Sequence, residues 1–205
     1  MNAAWPYGGS SAMLKVFAKI TGLLLVFSFL ASCGDVSSVT KVQSKELVLI
    51  NQVLKNWREG YQSEDLDMYM SAFWEDGFLY VSDMGTKEDK TDDVVFDDIR
   101  DERDSAKRVF DRFQDIEIEL SEPPEVQLNT DRTRAEVRNH YRIQGFVADG
   151  DSLEGGYTGW FAEGNNVFTF ELRKNNDSDK QEWRITEWND EAYSEEQIRA
   201  ANNLP

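Results

Sequence analysis

The sequence predicts an α+β fold, with helices gathered first and long antiparallel strands after them. Two observations predict it. Apolar residues recur at spacings of three and four from Leu47 to Phe73, and again from Val95 to Phe113, as on amphipathic helices. After Gln114 the period changes to two and holds over most of the remaining chain, as on half-buried strands. A leader of different composition precedes both regions and ends at Cys33, the only cysteine.

The leader comes first in the chain. Ile20 to Leu30 is apolar apart from Thr21, Gly22 and Ser28, which is too short for a membrane-spanning helix but suits the central part of a secretory signal. Lys15 and Lys19 give the positive flank, and Met13 makes a better start than Met1. Leu30-Ala31-Ser32-Cys33 reads as a lipobox. Residues 1–32 are then a lipoprotein signal peptide, and Cys33 is lipidated on its sulfur. Residues 33–45 are a tether, small and polar from Gly34 to Gln43. Several acyl chains, at about 0.8 kcal/mol per buried methylene, make such anchoring effectively permanent. The expected location is the bacterial cell envelope, on the inner or the outer membrane, with the domain facing the periplasm or exterior.

The folded domain is expected over residues 46–190. Ser44 is placed to cap a first helix whose face is Leu47, Ile50, Leu54, Trp57 and Tyr61. A turn at Gly60 to Ser63 leads to a second helix lined by Leu66, Tyr69, Met70 and Phe73, ended by Gly77. Phe78 to Val81 is a short strand, and Ser82 to Thr91 a charged loop. A third helix carries Val95, Ile99, Ala106, Val109, Phe110 and Phe113 on one face, with Asp92 and Asp93 near its positive end. Ile116, Ile118 and Leu120 alternate with acids up to Pro123-Pro124, and Val126 and Leu128 follow. Ala135, Val137, Asn139, Tyr141, Ile143 and Val147 share one face of a long strand, opposite Arg134, Arg138, His140 and Arg142. Tyr157 to Arg173 is a further strand, with a kink expected at Glu163 to Asn166, and Trp183 to Thr186 is the last. Ser194 to Asn203 reads as a short helix in a C-terminal tail over residues 191–205.

Composition excludes several roles. Without Lys15 and Lys19, 20 basic residues face 39 acidic ones, a formal charge of −19. Such a surface repels nucleic acid and anionic headgroups. A single cysteine allows no internal disulfide. With one histidine and that cysteine assigned to lipid, neither a zinc site nor a Cys-His dyad is expected. No metal or cofactor is expected. The acids Asp92-Asp93, Asp97-Asp98 and Asp101-Glu102-Asp104 spread round their helix and read as a solvated surface. Asn175 to Lys180 lacks the glycine and final glutamate of a calcium loop.

Trp57 and Tyr61, then Asp65-Leu66-Asp67-Met68-Tyr69 and Phe73-Trp74-Glu75-Asp76-Gly77-Phe78, resemble the opening of the nuclear transport factor 2-like superfamily, which includes SnoaL-like and ketosteroid-isomerase-like proteins. Gly85 and Trp183-Arg184-Ile185 are similar to its later landmarks. The resemblance implies a curved antiparallel sheet wrapped on N-terminal helices to form a cone with an apolar cavity. In that superfamily some members isomerise, cyclise or dehydrate a substrate there and others only bind, so the fold does not choose a function.

Trp57, Tyr61, Tyr80, Asn139, Tyr141 and Trp183 are the candidate cavity residues, aromatic walls with polar tips. The competing reading is that these rings fill the core. A small apolar ligand, or a protein partner, bound without catalysis is the primary expectation. The alternative is an isomerase or cyclase with Asp83 as base and Tyr80 as donor. Arg138, His140 and Arg142 mark a sheet face on which a homodimer would form.

Overall fold

The computed structural model describes residues 44–202. Residues 1–43, which carry the expected signal peptide, Cys33 and most of the expected tether, lie outside the described residues. No helix among the described residues is long and apolar enough to cross a membrane.

Helix α1 spans Lys45–Gln62, and the Ser44 hydroxyl accepts the Leu47 N–H at its start. Its buried face is Ile50, Leu54, Trp57 and Gly60, spaced by three and four. Gly60 lies inside the helix rather than at its end, because the next element approaches closely there. A Cβ at Gly60 would lie 2.4 Å from the Tyr69 backbone nitrogen. That gap admits α2, Leu66–Met70, whose cap Asp65 accepts the Met68 N–H at 2.9 Å.

Strands β1 (Leu79–Ser82) and β2 (Val94–Phe96) form an antiparallel pair. Here the structure departs from the helical pattern read through Val95. Two adjacent valines favour an extended chain, and Asp98 caps the following helix by accepting the Arg100 N–H at 2.9 Å. Helix α3 therefore starts at Ile99 and runs to Arg112. The remaining strands are β3 (Phe113–Leu120), β4 (Glu125–Leu128), β5 (Arg134–Val147), β6 (Gly159–Lys174) and β7 (Gln181–Ala192). Helix α4, Glu195–Ala201, closes the described chain behind a capping box of Ser194 and Gln197.

The strands make one curved, unclosed sheet in the order β2-β1-β7-β6-β5-β3, with β4 also on β5. β1 joins β7 in parallel, and the other strand pairs are antiparallel. The kink expected at Glu163 to Asn166 is absent there: β6 keeps register with β5 from Gly159 to Glu171. The irregularity falls instead between Thr169 and Phe170, against β7. β7 also runs six residues past Thr186, which carries Trp188 and Asp190 into the sheet.

The inner face holds the core. Ala135, Val137 and Ile143 of β5 and Phe168 and Phe170 of β6 join Ile50, Leu54 and Trp57 of α1 in one core cluster. Trp57 meets Phe168 and Trp188 edge-on, with ring centroids 5.4 Å away in each case. Burying one such aromatic contributes about 2–3 kcal/mol. On the outer face Arg134, Arg138 and Arg142 reach Glu187 at 3.3 Å, Glu191 at 2.8 Å and Glu163 at 3.2 Å. Pairs as exposed as the first two contribute at most about 1 kcal/mol each. Glu163 is buried, and Asn202 donates to it at 3.0 Å beyond α4. Its burial disfavours charge, yet Asn202, Arg142 and His140 together hold its carboxyl below the ordinary value.

Candidate functional site

Near one end of the inner face, where alternation calls for apolar residues, polar ones converge. Asp190 lies on β7 opposite Ser82 of the parallel strand β1. It accepts three hydroxyls: Tyr141 at 2.6 Å, Ser82 at 2.9 Å and Tyr80 at 3.3 Å. Tyr141 reaches it because the residue across on β6 is Gly164. A Cβ there would sit 2.9 Å from the Tyr141 hydroxyl and 2.5 Å from the Glu191 carbonyl. Burial pushes the Asp190 carboxyl above its ordinary value, and the three donated hydroxyls offset only part of that. Burial, followed by the Asp190 charge, raises both Tyr80 and Tyr141, so both phenols stay protonated donors.

A second carboxyl enters the same interior from α3. Glu102 is 5% exposed. The Tyr69 hydroxyl donates to its Oε1 at 2.5 Å. Burial pushes its carboxyl up to about 7, against the opposing pull of Tyr69. Its Oε2 takes no hydrogen bond from the described residues, and Glu102 borders a cavity of about 220 Å³. Tyr61, Tyr80, Phe96, Ala106 and Trp188 wall this cavity, with Val94 and the exposed Met84 also on its lining. Glu102 also raises Tyr61 and Tyr80 through its charge, after burial itself. Near neutral pH Glu102 exists in both protonation states, so it can give or take a proton beside neutral phenol donors.

Of the residues the sequence singled out, Tyr61 and Tyr80 line this cavity. Tyr141 stands behind them on Asp190. Trp57 and Trp183 are buried in the core. Asn139 is buried too, but it lines a separate groove of about 560 Å³ between α1 and the β3–β4 connection. The Asp83 Oδ1 accepts the backbone N–H groups of Gly85 and Ala192, each at 3.0 Å, and Asp83 does not line the cavity. His140 lies on the outer face, with Nε2 2.9 Å from Glu163. Among the described residues no cluster of His, Cys, Asp and Glu is arranged to hold a metal ion.

Glu102 corrects the reading of its acidic cluster as wholly solvated. The signal was present: Ile99, Glu102, Ala106, Val109 and Phe113 follow helical spacing, which puts one carboxylate inside the apolar stripe. Asp190 carried a similar signal, two residues after Trp188 on the same strand face.

No family model and no curated protein matches the chain. Solved structures do. A nuclear transport factor 2-like superfamily protein from Salmonella enterica serovar Typhimurium aligns with TM-score 0.55 at 10% identity, covering 73% of this chain and 92% of that one. A ketosteroid isomerase-like protein from Erwinia carotovora atroseptica aligns with TM-score 0.51 at 13% identity, over 74% and 99%. An uncharacterized protein with a cystatin-like fold from Caulobacter vibrioides gives TM-score 0.54 at 12% identity, over 78% and 96%. These likenesses establish the cone fold.

Proposed function

We propose that this chain is a lipid-anchored protein of the bacterial envelope whose cone domain binds a small, largely apolar molecule bearing one polar oxygen. The observation that carries the reading is the free oxygen of Glu102 at an aromatic-walled cavity. Aromatic walls with few polar groups suit a ring-sized ligand, and protonated Glu102 donates to its oxygen. The anchor rests on the lipobox at Leu30 to Cys33 and the apolar run before it. The test is native mass spectrometry of the full-length chain taken from host membranes. A small ligand co-purifies and is lost in Ser105→Phe, which fills the cavity from α3, while Cys33→Ser moves the chain out of the membrane fraction. Equal ligand retention in Ser105→Phe, or none in the wild type, refutes the binding reading.

A specific observation favours a second reading, acid–base catalysis on that ligand. A carboxyl titrating at about 7 stands beside Tyr80, which Asp190 holds in place. Ionised Glu102 would take a proton from the carbon next to a carbonyl, and Tyr80 would turn its one hydroxyl proton from Asp190 to the enolate oxygen. Cyclohexanone in deuterated buffer tests this. Exchange of its α-protons rises as pH passes about 7 and falls about a hundredfold in Glu102→Gln. Exchange at the same rate in both proteins refutes it.

A further inference from the structure

We propose that the groove between α1 and the β3–β4 connection is a second ligand site, for a small molecule that joins a carboxylate to a short apolar body. A chain of buried hydrogen bonds runs from Trp188 through Asn166 to Asn139. An indole N–H only donates, so the Asn166 amide must turn its oxygen to Trp188, at 2.8 Å. Its NH₂ then faces Asn139, whose oxygen accepts at 3.2 Å. The Asn139 orientation is thereby fixed. Its own NH₂ is left on the side away from β6, where β3 has ended at Leu120 and β4 begins only at Glu125. That gap is the groove. Asn139 is 3% exposed, and its Nδ2 has no partner. A buried donor in that state favours any acceptor the groove delivers.

The rest of the groove says which acceptor. Arg58 spends Nη1 on Glu122 at 3.2 Å, and its other nitrogens take no partner among the described residues. Among the described residues Lys55 is held only by a 3.7 Å contact to Glu59. Two cations and an unpaired amide against one lining carboxylate make a donor-rich patch, in a chain whose formal charge is −17. Such a patch selects an acceptor-rich anion, with the planar Arg58 fork suited to a carboxylate. Leu54 and Pro123 offer the apolar contact. The volume, about 560 Å³, is more than twice that of the cone cavity and within the range of small-molecule sites. No residue lines both spaces, so the groove is a site in its own right.

Isothermal titration of the full-length chain with hydrocinnamate, and with phenylpropanol as the uncharged match, tests the proposal. The acid binds about tenfold more tightly than the alcohol. Arg58→Gln and Asn139→Asp each weaken the acid about tenfold and leave the alcohol unchanged. Asn139→Asp keeps the oxygen that Asn166 needs and removes the free donor. Arg58 is only half-buried, so Arg58→Gln decides the matter even where the buried variant fails to fold. Equal affinity for acid and alcohol, no binding of the acid, or undiminished binding by Arg58→Gln overturns the proposal. So do amide NMR shifts at Ser105 and Ala106, which mark the cone cavity, in place of Asn51 and Ser121.

Discussion

Glu102→Gln should flatten the pH dependence of stability, and the structure sets the size of the effect. Glutamine keeps an oxygen for the Tyr69 hydroxyl and almost the same shape, so the change removes a titration more than a contact. In the unfolded chain the carboxyl loses its proton near 4.5; in the fold it holds it to about 7. Between these values the folded protein binds more protons, and stability falls as pH rises. Below 4.5 both states are protonated and the contribution is whole; above about 7 it is gone. A displacement of about two and a half units, at about 1.4 kcal/mol each, amounts to about 3–4 kcal/mol, of which about 3 falls between about pH 4.5 and 8. Asp190 is shifted in the same direction, but it does so in both proteins, so the difference between them isolates residue 102. The assay is urea unfolding followed by tryptophan fluorescence, in steps from about pH 4.5 to 8. The wild type should lose about 3 kcal/mol relative to Glu102→Gln across that window. Parallel curves would refute the placing of an ionisable Glu102 in the interior.

Two further outcomes follow from close approaches. Gly60→Ala puts a methyl 2.4 Å from the Tyr69 nitrogen and should cost about 3 kcal/mol, read as a lower urea midpoint; an unchanged midpoint would deny the tight α1–α2 crossing. Gly164→Ala should drive the Tyr141 hydroxyl off Asp190 and raise the Asp190 carboxyl further, seen in a carbon-13 titration of that residue; an unmoved titration would mean Tyr141 has another route to it.

Most of the fold was legible because alternation and helical spacing report burial directly. Leu54 and Trp57 on α1, and Val137 and Tyr141 on β5, face the core as their periods require. The failure at Val95 has a local cause: three residues of strand are too short to show a period, and they abut a helix whose own period runs through them. The candidate site was half legible. Tyr80 and Tyr61 were found as aromatics on apolar faces. Glu102 was not, because charge in an acid-rich stretch weighs toward solvent, whereas the deciding fact is its position in the stripe. The pairing of Asp190 with Ser82 depends on a parallel contact between strands more than a hundred residues apart, which no local pattern encodes.

The interior chemistry is costly to keep, and that cost is itself an argument. A neutral acceptor at position 102 would keep the Tyr69 hydrogen bond and remove about 3 kcal/mol of penalty at neutral pH. Asn139 and Trp57 each bury a donor with no partner, at about 1–3 kcal/mol apiece. The chain has no disulfide to offset these losses, since its one cysteine lies at position 33. Stability alone would therefore favour an uncharged acceptor at 102 and a partner for the amide donor at 139. Rule-breaking of this kind gathers where a protein meets another molecule. Here two such breaches stand at cavities, the Glu102 carboxyl among phenols and the Asn139 amide donor in the groove that Arg58 and Lys55 line, while the unpartnered atoms of Trp57, Asp93 and Trp160 line neither.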